Sequence, residues 1–267
     1  MEFLPHKTYL MGVLNVTPDS FSDGGRFFAF EAALDQARAM AAAGADIIDI
    51  GGESSRPGAG SITAEEELRR VVPIIEILRR ELSIPVSIDT CKSQVAERAL
   101  LAGAAILNDI TGLVNPQMRA VAARFGVPVV IMHMQGTPRT MQQHPRYTNV
   151  VSEVREFFEQ QIRLCRAEGI HHLILDPGIG FGKTVEHNLS LLKHLRSFAE
   201  FGFPILIGPS RKSFIGTLTG LPTDERLPGT IAAAVVGAQN GATIIRVHDV
   251  AECRAALTVA DAIANAV

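Results

Sequence analysis

Short runs of consecutive apolar residues alternate with longer stretches in which apolar and polar positions recur at helical spacing, from one end of the chain to the other. The apolar runs fall at 9–14, 46–50, 85–88, 105–108, 128–132, 173–175, 204–207 and 243–247. None shows the strict alternation of a strand with one wet face, so they predict strands buried on both sides, as in a parallel sheet covered by helices. The amphipathic stretches at 31–43, 64–82, 93–102, 117–125, 151–168, 185–198, 229–240 and 251–264 predict those helices.

Punctuation supports this division. Thr63, with Glu66 three positions later, opens one helix. Glycines 44, 103, 126, 169 and 241 stand where helices should stop, and Pro85, Pro128 and Pro204 stand where strands should start. Eight strand–helix units in 267 residues predict an α/β (β/α)8 barrel, a single domain over residues 1–267. The alternative is a doubly wound open sheet. Against it, no GxGxxG follows the first strand and the pattern does not change at mid-chain.

In a barrel, chemistry gathers where the strands end. Those positions carry Asn15; Glu53, Ser55 and Arg56; Asp89; Asn108 and Asp109; His133; Asp176; Ser210, Arg211 and Lys212; and Arg246, His248 and Asp249. The opposite ends carry mostly Gly, Pro and Ala. Any single polar residue here, Asp109 or Asp249 for example, can instead cap a helix or satisfy loop amides. The sixth strand leads into LDPGIGFGK at 175–183, a carboxylate beside backbone that a ligand can approach closely. Its GIGFGKT part is not a nucleotide-binding P-loop. That motif needs a glycine where this chain has Pro177. Long loops at 17–30, 54–63 and 135–149 follow the first, second and fifth strands, on the same face.

Composition narrows the options. A net charge of −3 with no basic block excludes a nucleic-acid footprint. No run reaches the ~18 apolar residues of a membrane span, and the first residues lack the pattern of a secretion signal, so a cytoplasmic protein is expected. Cys91, Cys165 and Cys253 are scattered without CxxC spacing, which argues for reduced thiols and against a thiolate zinc site. The exposed-sounding pair His171 and His172 reads as surface, and His133 and His248 lack the carboxylate partners of a zinc centre.

Taken in order, MGVLNVTPDSFSDGG at 11–25, DIGGESSRPGA at 49–59, SIDT at 87–90, NDITG at 108–112, MHMQGTP at 132–138, LDPGIGFGK, GPSRKSFIG at 208–216 and RVHD at 246–249 resemble the dihydropteroate synthase family over nearly the whole chain. The resemblance implies condensation of a dihydropterin carrying a CH2-pyrophosphate with p-aminobenzoate. It implies that Asp176, Asp89, Asn108, Lys212 and Arg246 meet the pterin, with Asp89, Asp176, Lys212 and Arg246 carrying the chemistry. Asn15, Ser55, Arg56, Arg246 and His248 would bind pyrophosphate, with Mg2+ near Asn15. Phe21, Pro57, Phe181 and Ser213 would form the p-aminobenzoate pocket. A homodimer is likewise implied. Ser55 stands where the family often has threonine, which keeps the hydroxyl and loses a methyl. Two other readings share the barrel: a pterin-dependent corrinoid methyltransferase, which has no need of a pyrophosphate cluster, and a non-catalytic pterin-binding paralogue.

Overall fold

Strands and helices alternate as the pattern predicts, with one additional short helix, Ser213–Thr219, between the last two strands. The computed structural model describes residues 3–17, 26–54 and 60–266, of which 26–29 by backbone alone. The elements are β1 (Tyr9–Asn15), α1 (Arg26–Ala42), β2 (Ile47–Gly51), α2 (Ala64–Glu81), β3 (Val86–Asp89), α3 (Ser93–Ala102), β4 (Ile106–Asp109), α4 (Pro116–Phe125), β5 (Val129–Met132), α5 (Val150–Ala167), β6 (Leu173–Asp176), α6 (Val185–Lys193), β7 (Leu206–Ile207), α7 (Ser213–Thr219), α8 (Leu227–Gln239), β8 (Ile244–Val247) and α9 (Val250–Ala264). Among these helices none is long and apolar enough to cross a membrane.

All strand pairs are parallel, in the order β6-β5-β4-β3-β2-β1-β8-β7. A bridge from Leu175 to Ile205, with Leu175 N–H donating to Pro204 O at 2.9 Å, joins the two ends. The sheet therefore curls into a (β/α)8 barrel, and the open-sheet alternative is excluded. Pro85, Pro128 and Pro204 lie just before their strands, yet their carbonyls still accept from Ile48, Leu107 and Leu175. Proline there gives up only a donor that the ladder does not use.

Two apolar layers hold the barrel. Between strands and helices lies the larger one, including Leu14, Ile50, Ile88, Leu107, Leu175 and Ile245, with Phe158 and Phe198 meeting edge to face at 5.5 Å. The barrel interior is filled by Tyr9, Met11, Ile47, Ile106, Val130, Ile174, Leu206 and Ile244, with Phe3 packed against them. Because side chains alternate along a strand, the residue two positions later points the same way. Those residues include Asp49 after Ile47, Asn108 after Ile106, Asp176 after Ile174 and Arg246 after Ile244. A polar layer thus rests on a dry apolar floor.

Two further details differ from expectation. Asn15, Asp89, Asp109 and Asp176 are the last residues of their strands, not the first of their loops, because the parallel ladder continues through pairs such as Asn15–Gly51 and Met132–Asp176. The helix expected over 185–198 stops at Lys193 and continues as a 3₁₀ turn, Leu195–Phe201. At the junction the His194 ring donates to Ser190 O at 2.9 Å and Ser197 Oγ donates to His194 O at 2.8 Å. The tighter turn buries both Leu195 and Phe198.

Phe158 is fully buried among Phe157, Phe198 and Phe201. Phe158→Ala is expected to cost about 3–5 kcal/mol of unfolding free energy in urea. A loss below ~1 kcal/mol would mean that this aromatic cluster does not hold the helical layer.

Candidate active site

The strand ends surround a cleft lined by Asp89, Asn108, Ile110, Met132, Asp176, Ile179, Phe181, Gly208, Lys212 and Arg246. Five of the residues singled out from strand ends, together with Phe181, therefore meet in one place. Asn15 lies beside them. A Cβ placed on Gly51 would stand 3.9 Å from Asn15 Oδ1 and 3.8 Å from Asp89 Oδ2. His248 follows β8, its Nδ1 2.9 Å from Ser210 Oγ. Ser213 is exposed at the start of α7 and does not line the cleft. Phe21, Ser55, Arg56 and Pro57 lie outside the described residues.

Arg246 is the hub. Its Nε donates to Asp49 Oδ2 at 2.6 Å, and a terminal nitrogen donates to Asp89 Oδ2 at 2.7 Å. Asn108 Nδ2 donates to the same Asp49 oxygen at 2.9 Å. The guanidinium is thus held between two carboxylates while Arg246 also lines the cleft. Asp49 is fully buried, and its Oδ1 has no hydrogen-bond partner among the described residues. Sequence reading assigned it no role. The available signal was a lone carboxylate inside the apolar strand IIDIG.

Burial raises both cleft carboxylates. Asp176 is pushed up to about 6 by loss of solvation, against the pull of the Gly178 N–H, which donates to its Oδ1 at 2.7 Å, and of Lys212, Lys183 and Arg246. Asp89 is raised by burial and by Asp49, Glu67 and Asp109, with Arg246 opposing. Such carboxylates are held near the point of ionisation, where a ligand's donors decide their charge. Lys212 stands just before α7 and extends over the Phe181 ring, its Nζ 3.9 Å from the ring centre.

The turn after β6 is built from outside the cleft. Gly178, at φ 71°, lies against β5, where a Cβ would come within 2.0 Å of His133 O. Only glycine can sit there. Asn188 of α6 accepts from Gly180 N–H at 2.7 Å. From the loop after β5, Gln142 donates to Gly180 O at 2.9 Å and Tyr147 to Gly182 O at 2.8 Å.

Other strand-end residues serve the scaffold. Asp109 accepts from Thr111 and Leu113 and caps its loop, and Asp249 pairs with Arg211. Glu53 and the buried Glu67 share Lys92. His133 packs edge-on to Phe157, and burial lowers it to about 3, so its imidazole is neutral. His171 and His172 are exposed. Among the described residues no group of three His, Cys, Asp or Glu side chains could hold a metal.

A (β/α)8 barrel that gathers charged side chains in one cleft at its strand ends has the build of an enzyme active site. The comparisons make this specific. The family model for pterin binding enzymes matches residues 11–248. Dihydropteroate synthase from Synechocystis sp. is 49% identical over 261 residues, which span 96% of this chain and 90% of that protein. The Escherichia coli K12 enzyme is 48% identical over 260 residues, 97% of this chain and 92% of its own. Among solved structures, Xanthomonas albilineans dihydropteroate synthase with 4-aminobenzoic acid has a TM-score of 0.93 at 45% identity, covering 98% of this chain and 94% of that one. Yersinia pestis dihydropteroate synthase with a sulfonamide drug has a TM-score of 0.91 at 46% identity, covering 97% and 94%. The chain belongs to the pterin-binding enzymes and, within them, to the dihydropteroate synthases.

Two outcomes follow from the buried charges. Asp49→Ala leaves Arg246 half-paired and should cost about 3 kcal/mol in urea unfolding. A loss under ~1 kcal/mol would contradict the hub. Asp176 binds its proton more tightly folded than unfolded, so the stability it contributes is present below pH 3.8 and fades as pH rises through about 6. Over that window the denaturation midpoint of Asp176→Asn should rise relative to that of the wild type. A constant difference would place Asp176 in an ordinary, solvated setting.

Proposed function

We propose that these residues join the CH2 carbon of 6-hydroxymethyl-7,8-dihydropterin pyrophosphate to the amine of p-aminobenzoate. The C–O bond to pyrophosphate breaks, the C–N bond forms, and the amine releases one proton. The observation that carries this reading is the pairing, in one cleft, of Asp176 and Asp89 with Arg246 and Lys212.

Each residue has a chemical task. Asp176 accepts from the adjacent N–H groups of the pterin's amino-pyrimidinone edge, a two-point contact that a carboxylate favours. Asn108 and Asp89 meet the rest of that edge, and Lys212 donates to the carbonyl side. Arg246 lies against the pterin face and helps hold the pyrophosphate, with His248, Asn15, Ser55 and Arg56. Phe181, Ser213, Pro57 and Phe21 surround the p-aminobenzoate. The pterin ring can spread positive charge, so substitution proceeds dissociatively. Asp89 and Asp176 favour the cation while Arg246 and His248 stabilise the departing anion. The aromatic amine is uncharged at neutral pH and needs little activation.

Asn15 offers a neutral amide oxygen at the cleft's edge, with no acidic cage around it among the described residues. That donor set fits Mg2+, which takes few protein oxygens and keeps water and substrate phosphates. Bound there, Mg2+ would neutralise charge on the leaving pyrophosphate. Three free cysteines, two of them buried, support a reducing, cytoplasmic setting. A homodimer is the proposed assembly. Exposed Val236, Val259 and Ile263 on α8 and α9 support it, and sedimentation would give the mass.

Asp176→Asn should raise KM for the pterin pyrophosphate, since an amide presents a donor where an acceptor is needed. Arg246→Ala should lower kcat about 10²–10³-fold. Pyrophosphate release measures both. Near-normal turnover in both variants would overturn the site map, and absence of turnover in the wild type would favour the non-catalytic reading.

A further inference from the structure

One buried cation takes no part in that mechanism. Lys183 ends the GIGFGK run and is 4% exposed. Its Nζ lies 3.1 Å from His133 Nδ1, 3.2 Å from His133 O and 2.9 Å from Phe181 O. A lysine has three donors, and here all three have acceptors. The ammonium also sits directly under the turn that caps Asp176. A Cβ on Gly178 would be 3.2 Å from Lys183 Nζ, and the same residue's N–H donates to Asp176 Oδ1.

We propose that Lys183 is a positioning residue for the condensation, pinning the glycine-rich turn to the end of β5 and serving as a buried counter-charge that, with Lys212 and Arg246, helps keep Asp176 ionised for the pterin. The inference rests on the reading of Asp176 as the pterin's acceptor.

The geometry gives it two links to the site. Through Phe181 O it fixes the ring over which Lys212 lies, and through His133 it ties the ends of β5 and β6, where His133 N–H also donates to Asp176 O at 2.9 Å. The charged groups facing Asp176 are Lys212 at the start of α7, Lys183 and Arg246 of β8. Those facing Lys183 are Asp176 and Lys212, with the His133 ring as neighbour. Burial lowers the Lys183 ammonium to about 7, Asp176 pulling it back up. An amine held there only by its surroundings, and a carboxylate raised to about 6, form a mutually dependent pair. His133 stays neutral and accepts at Nδ1, which places its proton on Nε2.

The test is the pH profile of kcat/KM for the pterin pyrophosphate in Lys183→Met, which keeps the apolar stem and removes the charge. Loss of an opposite charge beside Asp176 should move the acid limb up by about one unit, a tenfold lower kcat/KM on the acid side. A uniform fall at every pH with the acid limb unmoved would overturn the proposal, since it would show packing without charge. Asp176→Asn, run in parallel, separates the two readings. If that variant keeps the wild-type KM, the pterin assignment of Asp176 fails whatever Lys183 does. Should Lys183→Met not fold, the wild type still decides. The Lys183 Nζ resonance should titrate in two steps, one of them with Asp176, and a single step insensitive to Asp176→Asn would sink the idea.

Discussion

Charge buried in a protein must find an opposite charge or a donor within hydrogen-bond reach, and this barrel satisfies that demand by stacking a polar layer on an apolar one. Arg246 draws Asp49 and Asp89 to itself across the barrel, and Asn108 satisfies Asp49 from the side. Remove the apolar floor of Met11, Ile47 and Ile244, and water would screen each of these contacts. Remove the pairing, and the same strands would carry isolated charge in a dry interior. The fold and the site are therefore one problem with one solution.

That solution leaves the cleft electrostatically unfinished. Asp89 and Asp176 are both held above the ordinary carboxylate range by burial, while Arg246 remains fully charged between its two acids. A ligand that brings N–H donors to the carboxylates and an anion to the arginine completes the set. Under the mechanism proposed above, catalysis and recognition would draw on the same imbalance, the developing cation and the departing anion each meeting groups already aimed at them.

Much of this was legible in the sequence. The apolar runs and helix stops located the barrel, and the strand-end residues contained the cleft's charged members. Strand parity explains which of them reach it. Asn108 and Asp176 follow inward-facing Ile106 and Ile174 by two, whereas Asp109 and His133 are one residue out of phase and turn to the helical layer. Asp49 has the right parity but lies mid-strand, so a search of strand ends passes over it. Asn188 and Lys183 were harder still. They act on the turn after β6 through hydrogen bonds whose partners are set by how α6 and β5 approach it, and no spacing in the sequence encodes that approach. The break after Lys193 likewise depends on Phe198 meeting Phe158, a contact between distant parts of the chain.

The cylinder is zipped by several rungs at most of its junctions, but β6 and β7 share a lone bridge at Leu175 and Ile205. Asp176 stands on one side of that seam, and Lys212 follows the strand on the other. A planar guest held between these two opposite charges would therefore span the junction that the fewest backbone hydrogen bonds hold.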